Sequence, residues 1–207
     1  YGAIERHFNN NSQGQIAGKD VNGITEDGAW VTPFTLDFND GNIMFVGYKN
    51  VWRSMNVKAS NTSNVQWQKI SAFGNANLDQ LVLAKANTNI LYVSSGNKLY
   101  FTDNAKDPVV QWQIRTPNLP ANTTITAIET HPVNQNIVYI AQQTRIFKSE
   151  DRGLSWTEIT ANLSGIQITS GDGKVLYDSI SLYDGYYEPT EAYPPQGADS
   201  ILDVLNS

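Results

Sequence analysis

The chain has 207 residues, 40% of them apolar, five Trp and a formal net charge of −6. That is enough apolar chain for one sizeable core, and all-β architectures of this length are commonly undivided. It has no Cys, which excludes disulfide staples, and no run of about 18 apolar residues that would span a membrane as a helix.

Charge is unevenly placed. Beyond Gly165 stand seven acids and one base, whereas the preceding residues hold 13 of each. The net charge therefore belongs to the tail. A neutral body without clustered Lys and Arg argues against nucleic acid, whose binding is dominated by phosphate neutralisation.

In chain order, the first apolar segment is Ile4-Glu5-Arg6-His7, and 47 residues later comes Val51-Trp52-Arg53-Ser54. The same step separates Asn42-Ile43-Met44-Phe45-Val46, Asn89-Ile90-Leu91-Tyr92-Val93 and Asn136-Ile137-Val138-Tyr139-Ile140. A second apolar segment follows each: Val51 to Ser54, Leu99 to Thr102 and Ile146 to Ser149. A tryptophan-led segment closes each unit, starting at Trp67, Trp112 and Trp156. Within one unit the spacing predicts strands over Leu78 to Lys85, Ile90 to Ser94, Leu99 to Thr102 and Val109 to Ile114, divided by Asn, Gly, Ser and Pro. No helical periodicity is sustained before the tail. Four antiparallel strands per unit predict an all-β fold of β-propeller blades with a ~47-residue repeat.

The predicted organisation is a partial blade plus three full blades over residues 1–165, a possible further hairpin over 166–183, and an acidic linker over 184–207. Ile166 to Ser170 and Val175 to Tyr177 flank Gly171-Asp172-Gly173, a hairpin signal. Asp184 to Gly197 is rich in Tyr, Glu and Pro, and Ile201, Leu202 and Leu205 have the spacing of a short docking helix. The chain begins without Met inside a repeat, which suggests a processed or partial chain of a larger propeller; a closed ring of four is the alternative.

The third repeat carries Ser149-Glu150-Asp151-Arg152-Gly153-Leu154-Ser155-Trp156, an Asp-box pattern. A tight turn between third and fourth strands needs Gly153 at positive φ and acceptors from Ser149 and Asp151, and Trp156 then packs between blades. Ser149, Asp151, Gly153, Ser155 and Trp156 are therefore expected to be structural. In the other copies Ser54 with Asn56, and Thr102 with Asn104, keep the acceptors, while Lys58 and Lys106 replace the glycine. Insertions before Trp67 and Trp112 are expected to relieve the resulting strain.

These repeats and the Asp-box resemble the bacterial neuraminidase-type (BNR/Asp-box) propellers of sialidases, xyloglucanase-like glycoside hydrolases, sortilin-like Vps10 domains and large secreted Bacteroidetes proteins, and the stretch Val31 to Ser54 is most similar to the last group. The resemblance covers about residues 1–165. It implies an exported or cell-surface propeller module for carbohydrate or protein recognition, or a segment of a glycoside hydrolase. Asn-x-Ser/Thr patterns at Asn10, Asn61, Asn122 and Asn162, and the Asp-Ser-Ile triplets at Asp178 and Asp199, agree with export.

Candidate chemistry lies at first-strand starts, where propeller loops line the channel. Glu26, Asp27 and Asp79 are the candidate catalytic carboxylates, since a glycosidase needs two across a cleft; exposed loop acids are the alternative. A sialidase-like arginine triad is not visible among Arg6, Arg53, Arg115, Arg145 and Arg152. Trp30, without an aromatic counterpart in the sister repeats, either stacks on a sugar or anchors a peptide, or caps the blade core. His7 and His131 are expected to be turn residues rather than metal ligands. No cofactor or metal is expected; the expected partners are a glycan or a protein, with secretion or cell-surface machinery as a candidate partner for the acidic tail.

Overall fold

The computed structural model describes residues 1–160. The expected hairpin at 166–183 and the linker and helix of 184–207 lie outside the described residues. Within them the fold is all-β, with one 3-10 turn at Thr62–Asn64 in the insertion before Trp67.

The first hairpin joins β1 (Ile4–Phe8) to β2 (Asn11–Ala17). Its tip, Asn9-Asn10, has φ of 50° and 64°, the doubly left-handed conformation that matches strand twist in a two-residue hairpin. Three four-stranded meanders follow: β3 (Phe34–Leu36), β4 (Met44–Gly47), β5 (Val51–Ser54) and β6 (Gln68–Lys69); β7 (Gln80–Leu83), β8 (Leu91–Ser95), β9 (Lys98–Thr102) and β10 (Gln113–Ile114); β11 (Ala127–Thr130), β12 (Val138–Gln142), β13 (Arg145–Ser149) and β14 (Thr157–Glu158). Strands restart at the predicted step. The outer strands are shorter than expected: Val109 is exposed, outside β10, because the ladder to β9 holds only Gln113 and Ile114. His7, expected in a turn, stands within β1 opposite Ser12.

Each sheet packs face to face on the next, so its second strand is buried on both sides. Leu91 and Val93 of β8 meet Ile43 and Phe45 of the preceding sheet, while Tyr92 of the same strand meets Val138 and Ile140 of the following one. Period-2 side-chain alternation distributes one strand between two cores, which is why these runs read as continuously apolar. The repeated Asn-Ile pair has a backbone role as well. The carbonyls of Asn42, Asn89 and Asn136 accept from the amides of Val57, Ala105 and Arg152, tying the first turn of each sheet to the loop after its third strand.

The tryptophans lock the junctions. Trp67 Nε1 donates to Ile16 O at 2.7 Å, Trp112 Nε1 to Ile70 O at 2.7 Å, and Trp156 Nε1 to Arg115 O at 2.9 Å. Each bond runs to the outermost strand region of the preceding unit, giving every indole a satisfied N–H in a half-buried place.

The Ser149–Trp156 loop connects β13 to β14. Ser149 Oγ accepts from Gly153 N–H at 2.7 Å, and Asp151 Oδ1 accepts from Ser155 N–H at 2.8 Å. Gly153 has φ of 87°. The two sister loops keep the second device with Asn in place of Asp: Asn56 Oδ1 accepts from Gln66 N–H and Asn104 Oδ1 from Gln111 N–H, both at 2.9 Å. Lys58 and Lys106 are not among the positive-φ residues, so the longer loops reach the same geometry without a left-handed residue at that place.

Candidate ligand-recognition cleft

The segment between β2 and β3 crosses the end of the first two units, and it is anchored by Glu26. That carboxylate accepts from Asn50 N–H and Asn50 Nδ2, both at 2.9 Å, from Trp52 Nε1 at 3.1 Å, and pairs with Lys69 at 2.9 Å. Burial raises its pKa, but the Lys69, Asn50 and Trp52 donors outweigh burial and hold it below the ordinary glutamate value. A carboxylate so engaged is a structural clasp. Its charge is used to hold the segment on the sheet below.

Two residues further, Gly28 lets the segment lie directly on the N-terminal residues Tyr1 and Gly2. A Cβ there would stand 2.9 Å from Gly2 Cα, and Gly28 N–H donates to Tyr1 O at 3.3 Å. Tyr48 Oη donates to Gly2 O at 2.8 Å from below. Thr32 Oγ1 then closes a turn onto Ala29 O at 2.9 Å. The turn thrusts Trp30 outward, and its side chain is 80% exposed. It therefore does not cap a blade core. The Tyr1 ring packs edge-on against it, with centroids 5.1 Å apart and planes at 68°, leaving an indole face open.

Trp30 borders a cleft of about 550 Å³ between the starts of β3 and β7, lined also by Thr32, Phe34, Asp79, Gln80 and Leu81. Asp79 is exposed there and accepts from Gly96 N–H at 2.6 Å through Oδ2, so the geometry fixes its carboxylate at the rim. The structure brings Trp30 and Asp79 to one cleft. Glu26 and Asp27 do not line it. Asp27 is exposed and pairs with Lys19 at 3.0 Å, an interaction that lowers the carboxyl pKa and raises that of the lysine.

The five arginines occupy separate places. Arg6 and Arg53 bind backbone carbonyls between units, Arg115 lies over the Phe101 ring at 4.7 Å, Arg145 pairs with Glu158, and Arg152 donates to Asn136 Oδ1 at 2.9 Å. His131 is a turn residue: its Nδ1 accepts from Val133 and Asn134 N–H at 3.3 and 3.1 Å, the role played by Asp37 Oδ1 towards Asn39 and Asp40 N–H two units earlier. Among the described residues no group of three or more His, Cys, Asp and Glu is placed to hold a metal.

Sequence reasoning missed two features of this region. Tyr1 braces Trp30, although no sequence signal sets Tyr1 apart. Lys106 forms an ion pair with the fully buried side chain of Asp37. Its loss of the glycine phase was the available signal.

No family model and no curated protein matches the chain. Among solved structures it is similar to the Niastella koreensis GH74 enzyme, with a TM-score of 0.49 and 16% identity over 70% of this chain and 20% of that one. It is also similar to an ancestral GH74 enzyme, with a TM-score of 0.53 and 17% identity over 67% of this chain and 19% of that one. The chain thus spans about a fifth of the length of these structures. The second likeness shows the fold alone, which is β-propeller-like.

Proposed function

We propose that this chain is part of an exported or cell-surface propeller module that recognises a carbohydrate, with Trp30 as its stacking platform. The observation that carries the reading is the exposed indole beside a fixed carboxylate. An aromatic face contacts the C–H surface of a sugar ring, while Asp79 at the rim accepts from hydroxyls. Tyr1 and Gly28 pre-organise the platform, so little ordering entropy is lost on binding. The electrical neutrality of the repeat region fits an uncharged glycan.

A second reading, a segment of a glycoside hydrolase, draws on the likeness to GH74 enzymes. It requires two carboxylates across a cleft. Of Glu26, Asp27 and Asp79 only Asp79 lines the cleft, so a catalytic partner would come from other parts of a longer protein.

Glycan-array screening followed by calorimetry on the best neutral oligosaccharide tests the proposal. Trp30→Ala is expected to weaken binding at least about tenfold, consistent with the loss of an aromatic anchor, with an unchanged melting temperature because the side chain is solvent-exposed. Absence of glycan binding by the unaltered chain, or binding indifferent to Trp30→Ala, would overturn it. Hydrolysis of a bound glycan would favour the second reading.

A further inference from the structure

Of all the asparagines in the chain, only Asn22 is followed by glycine. The pair forms the centre of a turn that Ile24 N–H closes by donating to Val21 O at 3.1 Å, with φ of 50° at Asn22 and 89° at Gly23. These angles match a type I′ turn, which Asn and Gly fit because both tolerate positive φ. The Asn22 side chain also ties two segments together. Its Nδ2 donates to Ile16 O at 3.1 Å and to Thr62 O at 2.9 Å, joining the end of β2 to the 3-10 turn in the insertion before Trp67. Both protons of the amide are used, and a carboxylate in its place has neither.

The same amide is the electrophile of a spontaneous reaction of asparagine. The deprotonated Gly23 nitrogen attacks Asn22 Cγ, the Cγ–Nδ2 bond breaks, and Nδ2 leaves as ammonia with a proton taken from water. A second step opens the resulting cyclic imide with water to aspartate or isoaspartate. The net change consumes one water and releases one ammonia, with no oxidant or reductant. Ring closure requires Gly23 N and Asn22 Cβ to eclipse about the Cα–C bond. A type I′ turn carries ψ of about +30° at its first central residue, which sets those two atoms almost opposite each other, while the bonds to Ile16 O and Thr62 O hold Cγ in place. The folded turn therefore withholds the nucleophile. Once the turn opens, nothing obstructs it: Gly23 is exposed, and even a Cβ there would meet no atom within 4 Å.

We propose that Asn22 is a deamidation site gated by opening of this turn, and that the reaction releases the contact between β2 and the insertion in one direction only. The product carboxylate has no proton to donate and would face the Ile16 and Thr62 carbonyl oxygens, acceptor against acceptor. Isoaspartate also lengthens the backbone by one methylene, so the turn cannot close in its original form. The loosening has a boundary. Ile24 is fully buried with Val46, Tyr48 and Trp52, and the Glu26 clasp follows it, so the chain beyond the turn stays anchored.

Peptide mapping by mass spectrometry tests the site on the intact chain, incubated in mildly alkaline buffer with and without denaturing urea. The Asn22 peptide is expected to gain about one dalton in both, at least about tenfold more slowly in the folded chain, because only the open turn reacts. No gain in urea overturns the site, and equal rates overturn the gating. Hydrogen exchange reads the consequence through the amide of Val65, which donates to Thr62 O at 3.2 Å. In Asn22→Asp, which carries the product carboxylate from the outset, that amide is expected to exchange about tenfold faster; unchanged exchange overturns the release. Should Asn22→Asp fail to fold, the deamidated fraction of the aged chain, separated by ion exchange, is measured in its place against the same two outcomes.

Discussion

Arg53 does for the third sheet what Arg6 does for the second. Arg53 Nη1 donates to Ala105 O and Asp107 O at 2.6 and 2.8 Å; Arg6 Nη1 donates to Val57 O and Ala59 O at 2.9 and 2.7 Å. The donors are 47 residues apart and the acceptors 48, so one guanidinium clamp recurs at successive junctions. In the next unit the place falls to Phe101, and Arg115 covers that ring instead.

Arg53→Leu removes a buried charge together with its bonds to two carbonyls. Those carbonyls remain in a dry junction, so the variant is expected to be less stable by about 2–4 kcal/mol, the range for orphaned buried acceptors of a charged donor. Arg6→Leu, at a half-exposed place, is expected to cost about 1 kcal/mol because water reaches the released groups. Urea unfolding followed by tryptophan fluorescence measures both, and equal losses would contradict the burial argument.

Trp112→Phe retains an aromatic ring against Phe73, which it meets edge-on at 4.8 Å, but abolishes the bond to Ile70 O. The expected loss is about 1–2 kcal/mol for the unpaired carbonyl and lost volume. Trp112→Ala is expected to cost about 3–5 kcal/mol. If the two substitutions cost the same, the ring itself contributes nothing at that junction.

Gly153→Ala places a Cβ at φ of 87°, 3.0 Å from Arg115 Cβ and 3.1 Å from Trp156 Cζ2. Both the backbone conformation and the contact oppose it, and a destabilisation above about 1 kcal/mol is expected. A Cβ at Gly23 meets nothing within 4 Å, so Gly23→Ala, at φ of 89°, isolates the conformational part. A thermal melt in which Gly153→Ala is no worse than Gly23→Ala would refute the steric part.

The Glu26 clasp makes stability acid-sensitive. Its carboxyl is more acidic folded than unfolded, so its contribution is complete above the unfolded value of about 4.3 and is lost as pH falls through the folded value below that. Asp37, lowered by Lys106 and by the Asn39 and Asp40 amides against the opposing effect of burial, acts in the same direction. Glu26→Gln is expected to lower the melting temperature at pH 7 and to flatten its decline between about pH 5 and pH 3. An unchanged acid limb would show that the clasp is not linked to folding.

Strand order and repeat were legible because each unit writes its own pattern: Asn-Ile, an apolar pair of runs, and a tryptophan. The fourth strands were overestimated at Val109 because apolar character there reflects a loop over the junction rather than ladder pairing. In the candidate cleft the residue types were identified, but their partners were not. Glu26, Asp27 and Asp79 look equivalent in sequence, whereas one is a half-buried clasp, one pairs with a surface lysine and one sits on the cleft rim.

By itself the order of residues determined the local alternation, the turn chemistry and the 47-residue period, since these depend on neighbours a few positions away. Only the tertiary structure decided that Trp30 faces solvent, that Arg6 and Arg53 clamp neighbouring sheets, and that Lys106 finds Asp37. Those outcomes depend on contacts between residues 50 or more positions apart or on what the other described residues leave uncovered, and neither is written in any local window.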